Sequence, residues 1–259
     1  MSKSLTESVL RRLTVEAAAS YLGQSSSFEL VMHPGCCLAF TGEPVADLNY
    51  VVAGRGAPDA DHFAAACMSG ISRSLPFLAI VFPEAADSVE RTAADLGLAH
   101  VVDFPFMVRE DGPIEPVGHD SVIVRRADGP VDAEANVTVL SSAFAMPEES
   151  VRRVLPASLG DSPNVDIFLA SIGDEAVGTV TLIHQGDTSA VWSMATDTAR
   201  QRSGIGRRLL STAMAEARAQ GAARFFLGAT PAGYRLYESL GFTTRTTAKV
   251  WASGETHQA

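Results

Sequence analysis

The sequence predicts a mixed α/β protein made of two consecutive modules, and three observations carry that reading. Apolar stretches of strand length alternate with amphipathic stretches of helix length along all 259 residues. The same element order occurs twice: three strands, a helix, a strand, a helix and a strand. Between the two runs, residues 110–120 (EDGPIEPVGHD) are rich in proline, glycine and acid and lack an apolar period. They suit a linker or an exposed connection, with one module over 1–115 and the other over 120–252. The two halves are not visibly alike in sequence, so an internal duplication is predicted only at the level of fold.

Each element has its own signal. Residues 8–22 read as an amphipathic helix. FELVMH (28–33) and CCLAFTG (36–42) flank Pro34-Gly35 and read as a hairpin. DLNYVVAG (47–54) supplies a third strand, 59–72 a helix, FLAIVF (77–82) a buried strand, 88–98 a helix and VVDFPFMV (101–108) a strand. In the second half, SVIVRR (121–126) is a strand, and 132–146 and 147–159 are helical. VDIFLAS (165–171), AVGTVTLIHQ (176–185) and AVWSMATD (190–197) are joined by turn-forming Ile172-Gly173-Asp174 and Gly186-Asp187-Thr188, which predicts an antiparallel meander. A helix starts near Gly204, with Ile205, Leu209, Leu210, Ala213, Met214 and Ala217 on one side, and stops at Gly221. ARFFLGA (223–229) is a strand, 233–240 a short helix, and FTTRTTAKVWA (242–252) a final strand or hairpin.

Composition excludes several classes. Hydrophobic residues make up 46% of the chain and charged residues 19%, as in folded globular proteins. No apolar run reaches the ~18–20 residues that cross a bilayer, so no membrane association is expected. Met1–Arg12 lack a signal-peptide pattern. Cys36, Cys37 and Cys67 are odd in number and badly spaced for disulfides or zinc, which suits a reduced cytoplasm and predicts no metal. The net charge of -10 argues against nucleic acid as a partner. Residues 1–118 hold 7 basic against 15 acidic residues, and the remainder 13 against 15. The acidic first half would attract a cationic amine, although acidic surfaces also serve solubility alone.

The informative stretch is VWSMATDTARQRSGIGRRLL (191–210). A strand leads through Gln201-Arg202-Ser203-Gly204-Ile205-Gly206 into a helix. Gly204 and Gly206 let the backbone turn sharply and approach a ligand, and the free N–H groups of the helix start can bind an anion. Arg200, Arg202, Arg207 and Arg208 cluster here. Helix starts prefer acidic residues, so four arginines fit best beside an anionic ligand, with a solvated arginine surface as the plainer alternative. Arg202 and Arg207 are candidates for added phosphate contacts. A nucleotide-triphosphate loop is unsupported without Lys-Ser or Lys-Thr after the glycines, and the third glycine of a dinucleotide fingerprint would fall at Leu209.

This turn resembles the Gln/Arg-x-x-Gly-x-Gly/Ala signature of the GNAT superfamily of N-acetyltransferases. Leu236-Tyr237-Glu238-Ser239-Leu240-Gly241-Phe242 is similar to that family's second motif. The resemblance covers the C-terminal half, including the meander, and implies a GNAT fold. It makes the whole chain a candidate for two tandem GNAT-like domains, the first degenerate. Ala53-Gly54-Arg55-Gly56-Ala57 occupies the matching place in the first half without the signature.

The resemblance further implies acetyl-coenzyme A as cofactor and transfer of the acetyl group to a primary amine of a small molecule or peptide. Attack would be direct, within a ternary complex. Met194, Ala195 and Thr196 would pair with the pantetheine arm, and a backbone N–H near Met194 would face the thioester carbonyl. Arg202, Ser203, Gly204, Ile205, Gly206 and Arg207 would hold the pyrophosphate. Tyr237 would face the sulfur and donate to the departing thiolate.

Two departures from the family pattern stand out: Thr230 replaces an asparagine, and Ala190 lies where some members carry a glutamate base. His184, Asp197 or a water chain are left as routes for the amine's proton. A cofactor-binding sensor or partner-binding module, and a tandem enzyme using another acyl donor, stay open as alternatives. So do monomer and homodimer.

Overall fold

The computed structural model describes residues 5–54, 60–83, 86–110, 112–155 and 163–254. The chain forms two compact units. The first takes the chain up to Phe106 together with Gly228–Thr230 and the stretch from Thr244. The second takes Met107–Leu227 and Pro231–Thr243.

In the first unit, α1 (Glu7–Leu22) precedes the hairpin β1 (Glu29–His33) and β2 (Cys36–Phe40). Strand β3 (Asn49–Ala53) pairs antiparallel with β2 and parallel with β4 (Leu78–Val81), and helix α2 (Ala60–Ile71) makes the crossover. Helix α3 (Ala86–Asp95) leads into β5 (Ala99–Arg109), whose last three residues belong to the second unit. The strand predicted over 242–252 is a single strand, β11 (Thr243–Ala252), rather than a hairpin. Beyond Thr243 it belongs to the first unit and pairs antiparallel with β4, from Lys249↔Val81 to Ala252↔Leu78. Phe40, Phe63, Phe77, Cys36 and Cys67 pack in this unit's core. Covering apolar faces of this size is what holds such a unit folded.

In the second unit the strand order is β10 (Arg224–Gly228, its last residue counted with the first unit), β9 (Thr188–Thr196), β8 (Glu175–Gln185), β7 (Val165–Ile172), β6 (Ile123–Arg126), with the meander β7–β8–β9 as expected. Helices α4 (Gly129–Phe144) and α5 (Glu148–Val154) lie between β6 and β7; residues 156–159 of the predicted helix fall outside the described residues. Helix α6 (Ile205–Ala219) buries the predicted face of Ile205, Leu209, Leu210, Ala213, Met214 and Ala217. Helix α7 (Tyr234–Ser239) follows β10. Asp132 anchors the start of α4: its buried carboxylate accepts from the Asp128 N–H at 2.8 Å and pairs with Arg125.

The stretch expected to be an exposed connection is fastened to the second unit. Asp111 lies outside the described residues. From Pro113 onward, the Pro113 carbonyl accepts from Arg109 at 2.7 Å, and the Val117 N–H donates to Ser211 at 2.9 Å. The Val117 carbonyl accepts from Arg208 at 3.1 Å. Backbone groups hold this strap, which is why its side chains carry no apolar period.

Candidate functional site

The site begins at an irregularity in β9. Antiparallel pairing with β8 joins Thr181 to Trp192 and Thr179 to Ala195, so Ser193 and Met194 together oppose one residue of β8. Ser193 adopts a φ of 46°, the left-handed conformation. This is a β-bulge, which bends a strand and re-aims the side chains beyond it. On the other edge, the parallel register of β9 with β10 runs from Thr188↔Arg224 to Ala190↔Phe226 and covers none of Val191–Thr196. The backbone of Met194, Ala195 and Thr196 is thus left without a β10 partner in register, a sheet edge to which an extended group can pair.

Beyond β9 the chain makes a 3-10 turn, Thr198–Arg200, capped by the Asp197 carboxylate at 3.0 Å from the Ala199 N–H. Arg202 takes a φ of 60° and Gly204 a φ of 93°, and α6 begins. Gly204 holds the N-cap position without a side-chain cap. The first N–H groups of α6 have no carbonyl one turn earlier to receive them, so they open onto the loop. At Gly206, a Cβ would lie 3.2 Å from Met194 Cε, 3.3 Å from Leu236 Cδ2 and 3.4 Å from Thr196 Oγ1. One glycine therefore brings together the bulged strand, the start of α6 and α7.

The four clustered arginines divide into two pairs. Arg200 is bound to Glu175 at 2.7 Å and to Asp197, and Arg208 donates to Val117. Arg202 and Arg207 are exposed and have no ion-pair partner among the described residues. The two free cations are the two singled out in the sequence for phosphate contacts.

Tyr237 is 9% exposed, and its ring packs edge-on to Phe242 at 6.0 Å. It also lies over Gly233, where a Cβ would come within 2.7 Å of Tyr237 Cε2. Burial pushes the phenol up to about 12. Its hydroxyl has no hydrogen-bond partner among the described residues and keeps its proton as a free donor.

The two side chains considered for proton removal are both engaged. His184 Nδ1 meets Ser189 Oγ at 2.9 Å, and its Nε2 meets Asp166 Oδ2 at 3.1 Å. Asp166 is itself buried and paired with Arg126. Ser189 stands five residues from Met194 along β9, roughly 16 Å at the rise of a strand. Asp197 binds Arg200. Ala190 is 1% exposed, enclosed in the sheet.

A family model for the acetyltransferase (GNAT) domain matches residues 163–244, the segment that holds the bulge, the glycine turn and Tyr237. Residues 163–244 form a GNAT domain. It makes the chain an acyltransferase, and acetyl-coenzyme A is the cofactor that GNAT acetyltransferases use on amine substrates.

Solved structures extend the likeness of fold beyond this GNAT segment. A GCN5-related N-acetyltransferase from Kribbella flavida is 17% identical over 95% of this chain and 96% of its own, with a TM-score of 0.71. Another from Sphaerobacter thermophilus is 16% identical over 85% of this chain and 76% of its own, with a TM-score of 0.64. A tandem GNAT protein from the clavulanic acid biosynthesis pathway is 12% identical over 96% of both chains, with a TM-score of 0.59. At these identities the likeness carries the fold alone. No curated protein gives a significant match.

Among the described residues, no helix is long and apolar enough to cross a membrane, and no group of three or more His, Cys, Asp or Glu could hold a metal ion. Sequence reasoning missed the bulge, the employment of Arg200 and Arg208, and the strap. It left no sign of His119, whose Nε2 lies 3.1 Å from the Ser203 carbonyl oxygen in the glycine loop.

Proposed function

We propose that this chain transfers an acetyl group from acetyl-coenzyme A to the primary amine of a small molecule or peptide, by direct attack within a ternary complex. The observation that carries the reading is the convergence at Gly206 of Met194, Thr196 and Leu236, the residue before Tyr237. The residues fit the cofactor's polar groups. An uncapped helix start, a left-handed glycine and two unpaired arginines suit a pyrophosphate held by Arg202, Ser203, Gly204, Ile205, Gly206 and Arg207. The β9 edge at Met194, Ala195 and Thr196 suits the pantetheine arm.

When bound, the cofactor supplies an activated thioester. The chain's part is to orient it and to stabilise charge. A backbone N–H near Met194, held by the bulge, would serve as the donor that stabilises negative charge on the thioester carbonyl oxygen. Tyr237 Oη would donate a hydrogen bond to the departing sulfur. With the phenol near 12 and a thiol near ~8.5, complete proton transfer is uphill, so hydrogen bonding is its contribution. The acceptor's ammonium proton leaves through a water chain, because His184 and Asp197 are engaged elsewhere. A covalent acyl-enzyme is disfavoured: Cys36 and Cys37 are buried, with thiols pushed by desolvation to about 11 and about 12, and Cys67 is pushed higher.

The first unit is proposed to be a degenerate GNAT-like domain that does not bind cofactor. Its β3 stays paired with β4 from Tyr50 to Ala53, and the Phe82 N–H continues the ladder to the Ala53 carbonyl at 2.8 Å. The edge that is free on β9 is therefore closed on β3. The Arg11 side chain fills the space beside Gly54; Arg55, Gly56 and Ala57 lie outside the described residues.

The test is release of free thiol from acetyl-coenzyme A with polyamine, amino-sugar and peptide acceptors. Amine-dependent release supports the enzyme. The engaged His184 and Asp197 favour one rival, a cofactor-binding sensor, and binding without release from any acceptor would select it.

A further inference from the structure

The strap places one side chain on the glycine loop. His119 is half-buried between exposed Gly118 and Asp120. Its Nε2 is 3.1 Å from the Ser203 carbonyl oxygen. A carbonyl only accepts, so Nε2 carries the hydrogen. A Cβ placed on Gly204 would meet His119 Cδ2 at 3.4 Å and Nε2 at 3.9 Å, with no other non-neighbouring atom of the described residues within 4 Å. The imidazole therefore walls the loop on the side toward which a side chain at 204 would project. Its Nδ1 is buried and has no hydrogen-bond partner among the described residues. Internal hydrogen bonding at Nδ1 thus does not explain why the ring is held there.

The Ser203–Gly204 peptide is planar, and a trans peptide directs its C=O and N–H to opposite sides. Fixing the Ser203 carbonyl toward His119 turns the Gly204 N–H away from the ring. Without that hydrogen bond, the peptide lies in an exposed loop that includes two left-handed residues, Arg202 and Gly204, and loses a restraint on its rotation. The strap that carries His119 is secured independently by Val117, through Ser211 and Arg208 on α6. The ring is thus referenced to the same helix whose N-terminus forms the cradle.

We infer that His119 is a positioning residue of the pyrophosphate site. It locks the Ser203–Gly204 peptide so that the Gly204 N–H joins those of Ile205 and Gly206 as a preorganised anion donor. The inference rests on the pyrophosphate reading of the glycine loop.

Titration calorimetry of the full chain with acetyl-coenzyme A, and with S-acetylpantetheine, which lacks the pyrophosphate, tests it. His119→Ala and His119→Phe should each weaken acetyl-coenzyme A binding about tenfold. His119→Gln, whose amide N–H reaches the same carbonyl, should stay within about threefold of wild type. S-acetylpantetheine affinity, measured directly or by competition, should be the same in all four proteins. Equal losses for both ligands, or a Gln variant as weak as Ala, would mean a general structural role and overturn the inference. Wild-type affinity in the Ala and Phe variants would overturn it while leaving the cofactor site intact. A wild-type chain that does not bind acetyl-coenzyme A would overturn the cofactor reading as well.

Discussion

Met194 Cε lies where it would be only 3.2 Å from a methyl group placed on Gly206. The second residue of the bulge and the second glycine of the turn are therefore packed against each other, with no room for a side chain between them. The close approach needs glycine for space alone, since Gly206 sits in the first turn of α6 without a left-handed φ.

Gly206→Val separates the site from the fold. The added methyls must displace Met194, Leu236 or Thr196, so acetyl-coenzyme A affinity should fall at least tenfold. Stability should change by about 1 kcal/mol or less, because removing a helical glycine offsets the local crowding. Calorimetric titration beside thermal melting reads the two effects separately.

Arginine substitutions should sort by partner. Arg202→Ala and Arg207→Ala remove unpaired, exposed cations and should weaken acetyl-coenzyme A binding several-fold each, less at high salt, with no change in melting temperature. Arg200→Ala removes the partner of Glu175 and Asp197 and should loosen the turn before α6 without losing a direct ligand contact. Affinity measured at two salt concentrations distinguishes them: only Arg202 and Arg207 variants should show a shallower salt dependence.

Tyr237→Phe keeps the ring on Gly233 and against Phe242 while deleting the donor. Turnover should fall ten- to a hundredfold with acetyl-coenzyme A binding unchanged. The phenol is raised to about 12 in the folded chain, against ~10 unfolded. Its folded-state proton therefore adds stability in full below pH ~10, lost as pH rises toward 12, and the Phe variant should lack that alkaline loss. Melting temperatures from pH 8 to 11 check the sign.

Asp132→Asn tests the anchor of α4. The hydrogen bond from Arg125, then the Asp128 N–H, holds the Asp132 carboxyl below its ordinary range against the opposing effect of burial. A depressed carboxylate stabilises above its unfolded value of ~3.9 and loses that contribution as pH falls through the lower folded value. The variant should be about 1–2 kcal/mol less stable at pH 7, with the gap narrowing below pH 4. Denaturant unfolding at pH 7, 5 and 3.5 reads it.

Much of this architecture was legible because it is written in side-chain periods. The buried face of α6 follows the spacing from Ile205 to Ala217, and the meander follows from turns at Gly173 and Gly186, both with positive φ. The bulge left no trace, since Ser193 and Met194 extend a strand-forming stretch without breaking its composition. The strap reads in sequence as a linker or an exposed connection because backbone groups of Pro113 and Val117 hold it. Arg200 and Arg202 look equivalent in sequence; only the distant Glu175 shows that the first is engaged and the second free. Strand β11, last in the chain, is beside β4, a pairing that no local pattern encodes.

The most direct measurement is calorimetric titration of the full chain with acetyl-coenzyme A, recording stoichiometry as well as affinity. One site per chain at micromolar affinity, lost in Gly206→Val, is the predicted result. Two sites per chain, or one site that survives Gly206→Val unchanged, would contradict a single cradle built at Arg202–Arg207.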